Sequence, residues 1–160
     1  MNVHAEKMRT EDAESIVKWR YEQPYHFYDH ESTPEAVQEL LAGNYYTVFD
    51  NHDGLLGFYC VGSSAQVPSE SYDYVDSYLD IGLGMRPDRT GMGKGNEFLS
   101  FVLRSIKEQY ANKPLRLTVA AFNQRAIRLY RHFQFIETAQ FTKGSTEFVV
   151  MYRASQGNDE

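Results

Sequence analysis

Two stretches of this sequence combine residue types that do chemistry with a spacing that brings them together. The first is Leu83-Gly84-Met85-Arg86-Pro87-Asp88-Arg89-Thr90-Gly91-Met92-Gly93-Lys94-Gly95. It reads as a strand, a glycine-rich loop and the start of a helix. Alternate glycines let a backbone turn left-handed and let a ligand approach closely. The N–H groups of such a loop and of the helix start converge on one place, which suits an anion or a phosphate. Arg89 and Lys94 add positive charge there. The loop is not a Walker A sequence, because its lysine lies between glycines rather than after them and before Ser or Thr. The dinucleotide fingerprint fits poorly too. The spacing is Gly-x-Gly-x-Gly, the loop lies past mid-chain, and no acid closes the next strand, Leu115–Ala120. Taken alone, the loop is equally compatible with a glycine turn that binds nothing.

The second stretch is Asn123-Gln124-Arg125-Ala126-Ile127-Arg128-Leu129-Tyr130-Arg131-His132-Phe133-Gln134-Phe135. Asn123 lies at a strand-to-helix junction, where its amide can cap the helix or meet a ligand. Tyr130 falls two helical turns later on nearly the same face. Other candidates are weaker. His26 and His30 have the spacing of a helical metal pair, but no third ligand is evident and Pro24 disturbs the helix, so no metal is expected. Cys60 sits in a strand pattern and reads as a small core residue.

The elements that must position these residues follow from periodicity. Val3–Met8 predicts a strand, and Thr10 a helix cap with Glu11 and Asp12 behind it, the helix running through Trp19. Ser32-Thr33-Pro34-Glu35 starts a second helix that Gly43-Asn44 stops. Tyr45–Asp50 and Leu55–Gly62 form a hairpin about His52-Asp53-Gly54. Tyr74–Met85 reads as one long strand with Val75, Leu79, Ile81, Leu83 and Met85 on one face. A helix to Tyr110, the strand Leu115–Ala120, the helix Asn123–Phe133 and the strands Phe135–Phe141 and Glu147–Tyr152 complete the chain. The order is βααβββαβαββ, an α/β (α+β) fold with a mixed, mostly antiparallel sheet flanked by helices. Residues 1–155 are expected to form one domain and 156–160 a frayed polar tail.

Composition narrows the classes of function. The 160 residues are 42% hydrophobic and 24% charged, the balance of a folded domain rather than a disordered chain. A net charge of −6 makes nucleic acid a poor partner and an amine a better one. No apolar run approaches the ~20 residues of a membrane span. A single cysteine points to a reducing, cytoplasmic setting. The 12 tyrosines cluster partly in Trp19–Tyr28 and Tyr72–Tyr78, as they do in ligand clefts and in half-buried sheets alike.

Together the two stretches resemble the GNAT superfamily of acetyl-CoA-dependent N-acetyltransferases. That family's pyrophosphate loop reads Gln/Arg-x-x-Gly-x-Gly/Ala, which Thr90-Gly91-Met92-Gly93-Lys94-Gly95 matches with Thr90 in place of Gln or Arg. Its later Asn-x-x-Ala-x-x-Leu-Tyr-x-x-x-Gly-Phe pattern is met at Asn123, Ala126, Leu129, Tyr130 and Phe135, with Gln134 in place of Gly. The resemblance implies that the backbone of Leu83, Gly84 and Met85 pairs with pantetheine, and that Thr90, Gly91, Met92, Gly93, Lys94, Gly95 and Asn96 hold the pyrophosphate. It implies that Asn123 bonds the pantetheine or the substrate, and that Tyr130 protonates the departing thiolate. The strand glutamate that serves as base in several members corresponds to Leu79, which cannot; Asp80 is the adjacent candidate, with a water relay as the other route. The acceptor site falls on the connection after the first helix, where Trp19, Tyr21, Glu22, Tyr25 and Tyr28 would box a cationic amine. The implied activity is acetyl transfer to a primary amine by a monomer or homodimer. A non-catalytic coenzyme A or acyl-CoA sensor is the alternative.

Overall fold

The computed structural model describes residues 2–91 and 93–156. The strands are β1 (Val3–Lys7), β2 (Tyr45–Asp50), β3 (Gly54–Val61), β4 (Leu79–Met85), β5 (Leu115–Ala120), β6 (Ile136–Lys143) and β7 (Thr146–Arg153). The helices are α1 (Thr10–Ile16), α2 (Pro34–Ala42), α3 (Gly95–Tyr110) and α4 (Gln124–His132), so the elements run in the expected order. β1/β2, β2/β3, β5/β7 and β6/β7 pair antiparallel, and β4/β5 pair parallel. The seven strands make the mixed, mostly antiparallel sheet that the sequence implied.

Contacts group the chain into two compact units, residues 1–60 with 83–102, and residues 61–82 with 103–160. β4 and α3 each contribute one half to either unit.

In the first unit, Met8, Ala13, Ile16, Val17, Val37 and Leu40 form the core beneath α1 and α2, with Trp19, Tyr45, Leu55 and Phe58 packed against it. α1 starts one residue away from the expected cap. Arg9 is the N-cap, and the buried carboxylate of Asp12 reaches back to accept its N–H at 3.1 Å. α1 also stops short of Trp19. The N–H groups of Lys18 and Trp19 bond Ser15 and Ile16 three residues back, and Arg20 donates to the carbonyls of Val17 and Trp19 at 2.9 and 2.7 Å. The helix end is thereby tightened and its orphan acceptors are satisfied. Thr33 caps α2 through Oγ1, which accepts the Ala36 N–H at 3.1 Å. β3 and the end of β4 are interlocked: a Cβ on Gly57 would lie 2.5 Å from the Gly84 carbonyl and 2.7 Å from the Phe98 ring, and one on Gly84 would lie 2.5 Å from the Phe58 ring.

In the second unit, Ala120, Phe141, Phe148 and Val150 form a core with Val67 and Tyr72 against it. The long strand expected from Tyr74 is corrected: β4 begins only at Leu79. The Tyr74 hydroxyl is taken by Thr118 at 2.8 Å and by the Val67 N–H at 3.1 Å, and the Val75 carbonyl accepts from Arg116 at 2.8 Å. These bonds draw the segment away from strand geometry, and Val75 is left half exposed. At the tail, Gln156 exchanges two hydrogen bonds with Asn112, at 2.6 and 3.2 Å; the rest of the expected frayed tail lies outside the described residues.

Gln134 follows α4 with φ of 75°, the left-handed conformation that closes a helix and favours glycine. The family pattern has Gly at this position. Gln134→Gly is therefore expected to stabilise the protein by about 1 kcal/mol, read as a shift in urea midpoint at unchanged slope.

Candidate active site

The glycine loop belongs to the first unit. Gly91 and Gly93 both take left-handed backbone, with φ of 73° and 74°. Met92, one of the expected pyrophosphate residues, lies outside the described residues. A Cβ built on Gly93 meets nothing within 4 Å, so there is open space at that position. α3 begins at Gly95, and its ladder starts with the Phe98 N–H on the Lys94 carbonyl at 3.1 Å. The N–H groups of Gly95 and Asn96 therefore precede the ladder and stand at the positive end of the helix dipole. Lys94 and Asn96 are exposed.

The approach to the loop is strapped to the β2–β3 turn. Arg86 donates to the carbonyls of Asp53 and Leu55 at 3.1 and 3.0 Å and pairs with Asp88 at 2.6 Å. Arg89 pairs with the Asp53 carboxylate, so its charge is shared with that turn rather than lent whole to the loop. Thr90 also turns inward: its hydroxyl donates to the Pro87 carbonyl at 2.8 Å. Where the family carries a long Gln or Arg, this chain closes a turn.

At the end of β4, Leu83, Gly84 and Met85 are half-buried. The Met85 carbonyl accepts a 2.6 Å bond from the Tyr21 phenol. Burial, and then the neighbouring Asp29 carboxylate, push the Tyr21 phenol above its ordinary range, which keeps it a donor. Tyr21 is itself fixed by its N–H, which donates to Asp29 at 2.9 Å. Trp19 stacks on Phe58 with 6.2 Å between ring centres, and His30 and Tyr45 meet the same ring at 6.2 and 6.0 Å. Glu22 opens the single helical turn Tyr25–Tyr28, its carbonyl accepting from Tyr25 and His26 at 2.7 and 3.2 Å. Tyr25 is half-buried, while Glu22 and Tyr28 are exposed. Of the proposed amine box, the structure thus ties Trp19 and Tyr21 to β3 and to the end of β4, and leaves Glu22 and Tyr28 at the surface.

The second unit holds Asp80, Asn123 and Tyr130. Asp80 does not fit the role of base. It is 3% exposed, and both its oxygens are engaged, Oδ1 by Arg116 Nε at 2.6 Å, Oδ2 by Arg116 Nη2 and Gln66 Nε2 at 2.9 Å each. A buried carboxylate that accepts three hydrogen bonds, two of them from a guanidinium fork, has three of its about four acceptor positions occupied and little access for an incoming amine. Nothing local signals this, since the partners lie 14 and 36 residues away along the chain. Asn123 caps α4, its side-chain oxygen accepting the Ala126 N–H at 3.1 Å. Tyr130 is half-buried on α4, its ring edge-on to Phe135 at 6.0 Å. Among the described residues no group of three metal-ligating side chains comes together.

Comparison with protein-family models matches residues 13–135 to the acetyltransferase (GNAT) family. Solved structures of similar fold include a GNAT-family acetyltransferase from Bacillus anthracis, 12% identical, with a TM-score of 0.72 over 97% of this chain and 96% of that one. An aminoglycoside acetyltransferase in complex with coenzyme A is 16% identical, with a TM-score of 0.72 over 96% and 95% of the two chains. Mutant forms of the spermidine/spermine N-acetyltransferase SpeG from Vibrio cholerae are 17% identical, with a TM-score of 0.67 over 96% and 95%. At these identities the likeness is one of fold. No curated protein matches the sequence. The family match takes in the glycine loop, Tyr130 and segments of both units, and by it the chain belongs to the acetyltransferase (GNAT) family and is an acyltransferase.

Proposed function

We propose that the protein transfers the acetyl group of acetyl-CoA to a primary amine by direct attack, residues 1–155 serving as one functional domain. The observation that carries this reading is the left-handed pair Gly91 and Gly93 immediately ahead of α3. That geometry gathers backbone donors at a helix N-terminus, where a pyrophosphate is stabilised by both hydrogen bonds and dipole. The N–H groups of Gly93, Lys94, Gly95 and Asn96 are the proposed donors. Leu83, Gly84 and Met85 offer backbone to the pantetheine amides, as in strand addition. The amine lone pair attacks the acetyl carbonyl, the C–S bond breaks, and the departing thiolate takes its proton from the Tyr130 hydroxyl. With Asp80 engaged and Leu79 apolar, the proton lost by the amine passes to water. Asn123, at the start of α4, is proposed to bond pantetheine or substrate. Trp19, Tyr21, Glu22, Tyr25 and Tyr28 are proposed to receive the amine. The relatives named for spermidine and aminoglycosides support a cationic acceptor. A single, buried cysteine, Cys60, supports a reducing cytoplasm, and no helix among the described residues is long and apolar enough to cross a membrane.

Calorimetric titration with acetyl-CoA, coenzyme A, ATP and NAD tests the reading. Selective binding of the two coenzyme A species is expected. Gly93→Ala is expected to weaken acetyl-CoA about tenfold, because a Cβ at that φ costs ~1–2 kcal/mol. Tighter binding of ATP or NAD would overturn the assignment. Coenzyme A binding with no acetyl transfer to any of a panel of amines would instead favour a sensor.

A further inference from the structure

Among the described residues, Arg116 and Asp80 are the most deeply buried charges of the second unit, 2% and 3% exposed. Removing two charges from water is costly, and well-packed apolar residues usually stabilise as well or better. The pair therefore calls for a reason other than stability, and its place in the sheet supplies one. Among the described residues the parallel ladder of β4 and β5 has two rungs, Leu79 with Leu115 and Asp80 with Arg116. Ile81 and Gly82 do not continue it, whereas β5 keeps pairing with β7 through Leu117–Ala120. The ion pair thus sits on the last rung.

The geometry is that of a clasp. Arg116 Nε and Nη2 meet the two Asp80 oxygens at 2.6 and 2.9 Å, and Gln66 holds Oδ2 from a second side. Arg116 also donates to the Val75 carbonyl at 2.8 Å, and the rings of Tyr74 and Tyr78 lie 5.1 and 5.5 Å from its guanidinium. The chain entering β4 and β4 itself are therefore held by one cation. A planar fork fixes distance and angle together, which an apolar contact does not.

We propose that Arg116 and Asp80 are a positioning pair for coenzyme binding. They fix the rung at which β4 pairs with β5, and within three residues the same strand runs on into the stretch proposed to read pantetheine. The inference rests on the acetyl-CoA reading above.

The test compares coenzyme A with adenosine 3′,5′-bisphosphate, which lacks the pantetheine arm, by calorimetry and competition. Two variants are used, Arg116→Lys, which keeps the charge but loses the fork, and the neutral double variant Asp80→Asn/Arg116→Met. Each is expected to raise the Kd for coenzyme A about tenfold, while the bisphosphate changes less than about twofold. Circular dichroism and melting confirm that each variant is folded at the temperature used. An unchanged Kd for coenzyme A in a folded variant overturns the proposal. Equal weakening of both ligands overturns it as well, since that marks general destabilisation. Wild-type protein that binds no coenzyme A removes the acetyl-CoA reading itself, and the positioning role with it.

Discussion

Tyr130→Phe is expected to cut turnover by about 10²- to 10³-fold while leaving the Kd for acetyl-CoA within about twofold, the range in which a single general acid contributes. The substitution removes one oxygen and keeps the ring, so the edge-on contact with Phe135 survives. Folding stability is accordingly expected to change little. The two quantities separate the roles that a phenol on this helix can play. A packing residue would lose nothing measurable in turnover on Tyr→Phe, and a cofactor-binding residue would lose affinity. A proton donor loses the chemical step alone, so kcat and kcat/KM fall together. Retained turnover with intact binding would move the donor elsewhere and leave Tyr130 as part of the α4 packing.

The largest expected effect on stability is that of Arg116→Met. It leaves the carboxylate of Asp80 buried with only Gln66 as a partner. Removing one member of a buried ion pair costs about 3–5 kcal/mol, most of it the penalty of the abandoned charge. The double variant Asp80→Asn/Arg116→Met abandons no charge and is expected to recover most of that loss. The asymmetry between single and double variants is the signature, read from urea midpoints at constant slope. Equal destabilisation by both would mean that the guanidinium contributes mainly through its stacking on Tyr74 and Tyr78.

What the sequence made legible, and what it hid, divides along chain distance. β2 and β5 match their expected bounds, and Thr33 and Asn123 cap their helices as local signals suggested. Their determinants lie within a few residues, in alternation or in one side chain reaching its own backbone. The misread elements answer to distant partners. The stretch before Leu79 alternates like a strand, but Thr118 and Arg116 pull its polar groups away. Asp80 reads as an available acid until Arg116, 36 residues on, closes over it. The Tyr21 bond to Met85 spans 64 residues, and the pairing of Arg89 with Asp53 spans 36. No periodicity carries such contacts. The left-handed turns at Gly91 and Gly93 were legible because backbone freedom is written in residue type.

The interlock of Gly57, Phe58 and Gly84 bears on how this sequence can vary through descent. Every replacement of glycine adds a Cβ, and at Gly57 that atom meets a main-chain oxygen at 2.5 Å, which no rotamer change relieves. At Gly84 the obstacle is the Phe58 ring, so the position opens most readily in a lineage where residue 58 has already become smaller. That earlier step strips a partner from Trp19, His30 and Tyr45 at once. The order of events is therefore constrained: Phe58 first, at a cost, and Gly84 afterwards. A saturation library of single variants should be nearly blank at both glycines, and only pairwise libraries should reveal that one of the two vetoes is conditional.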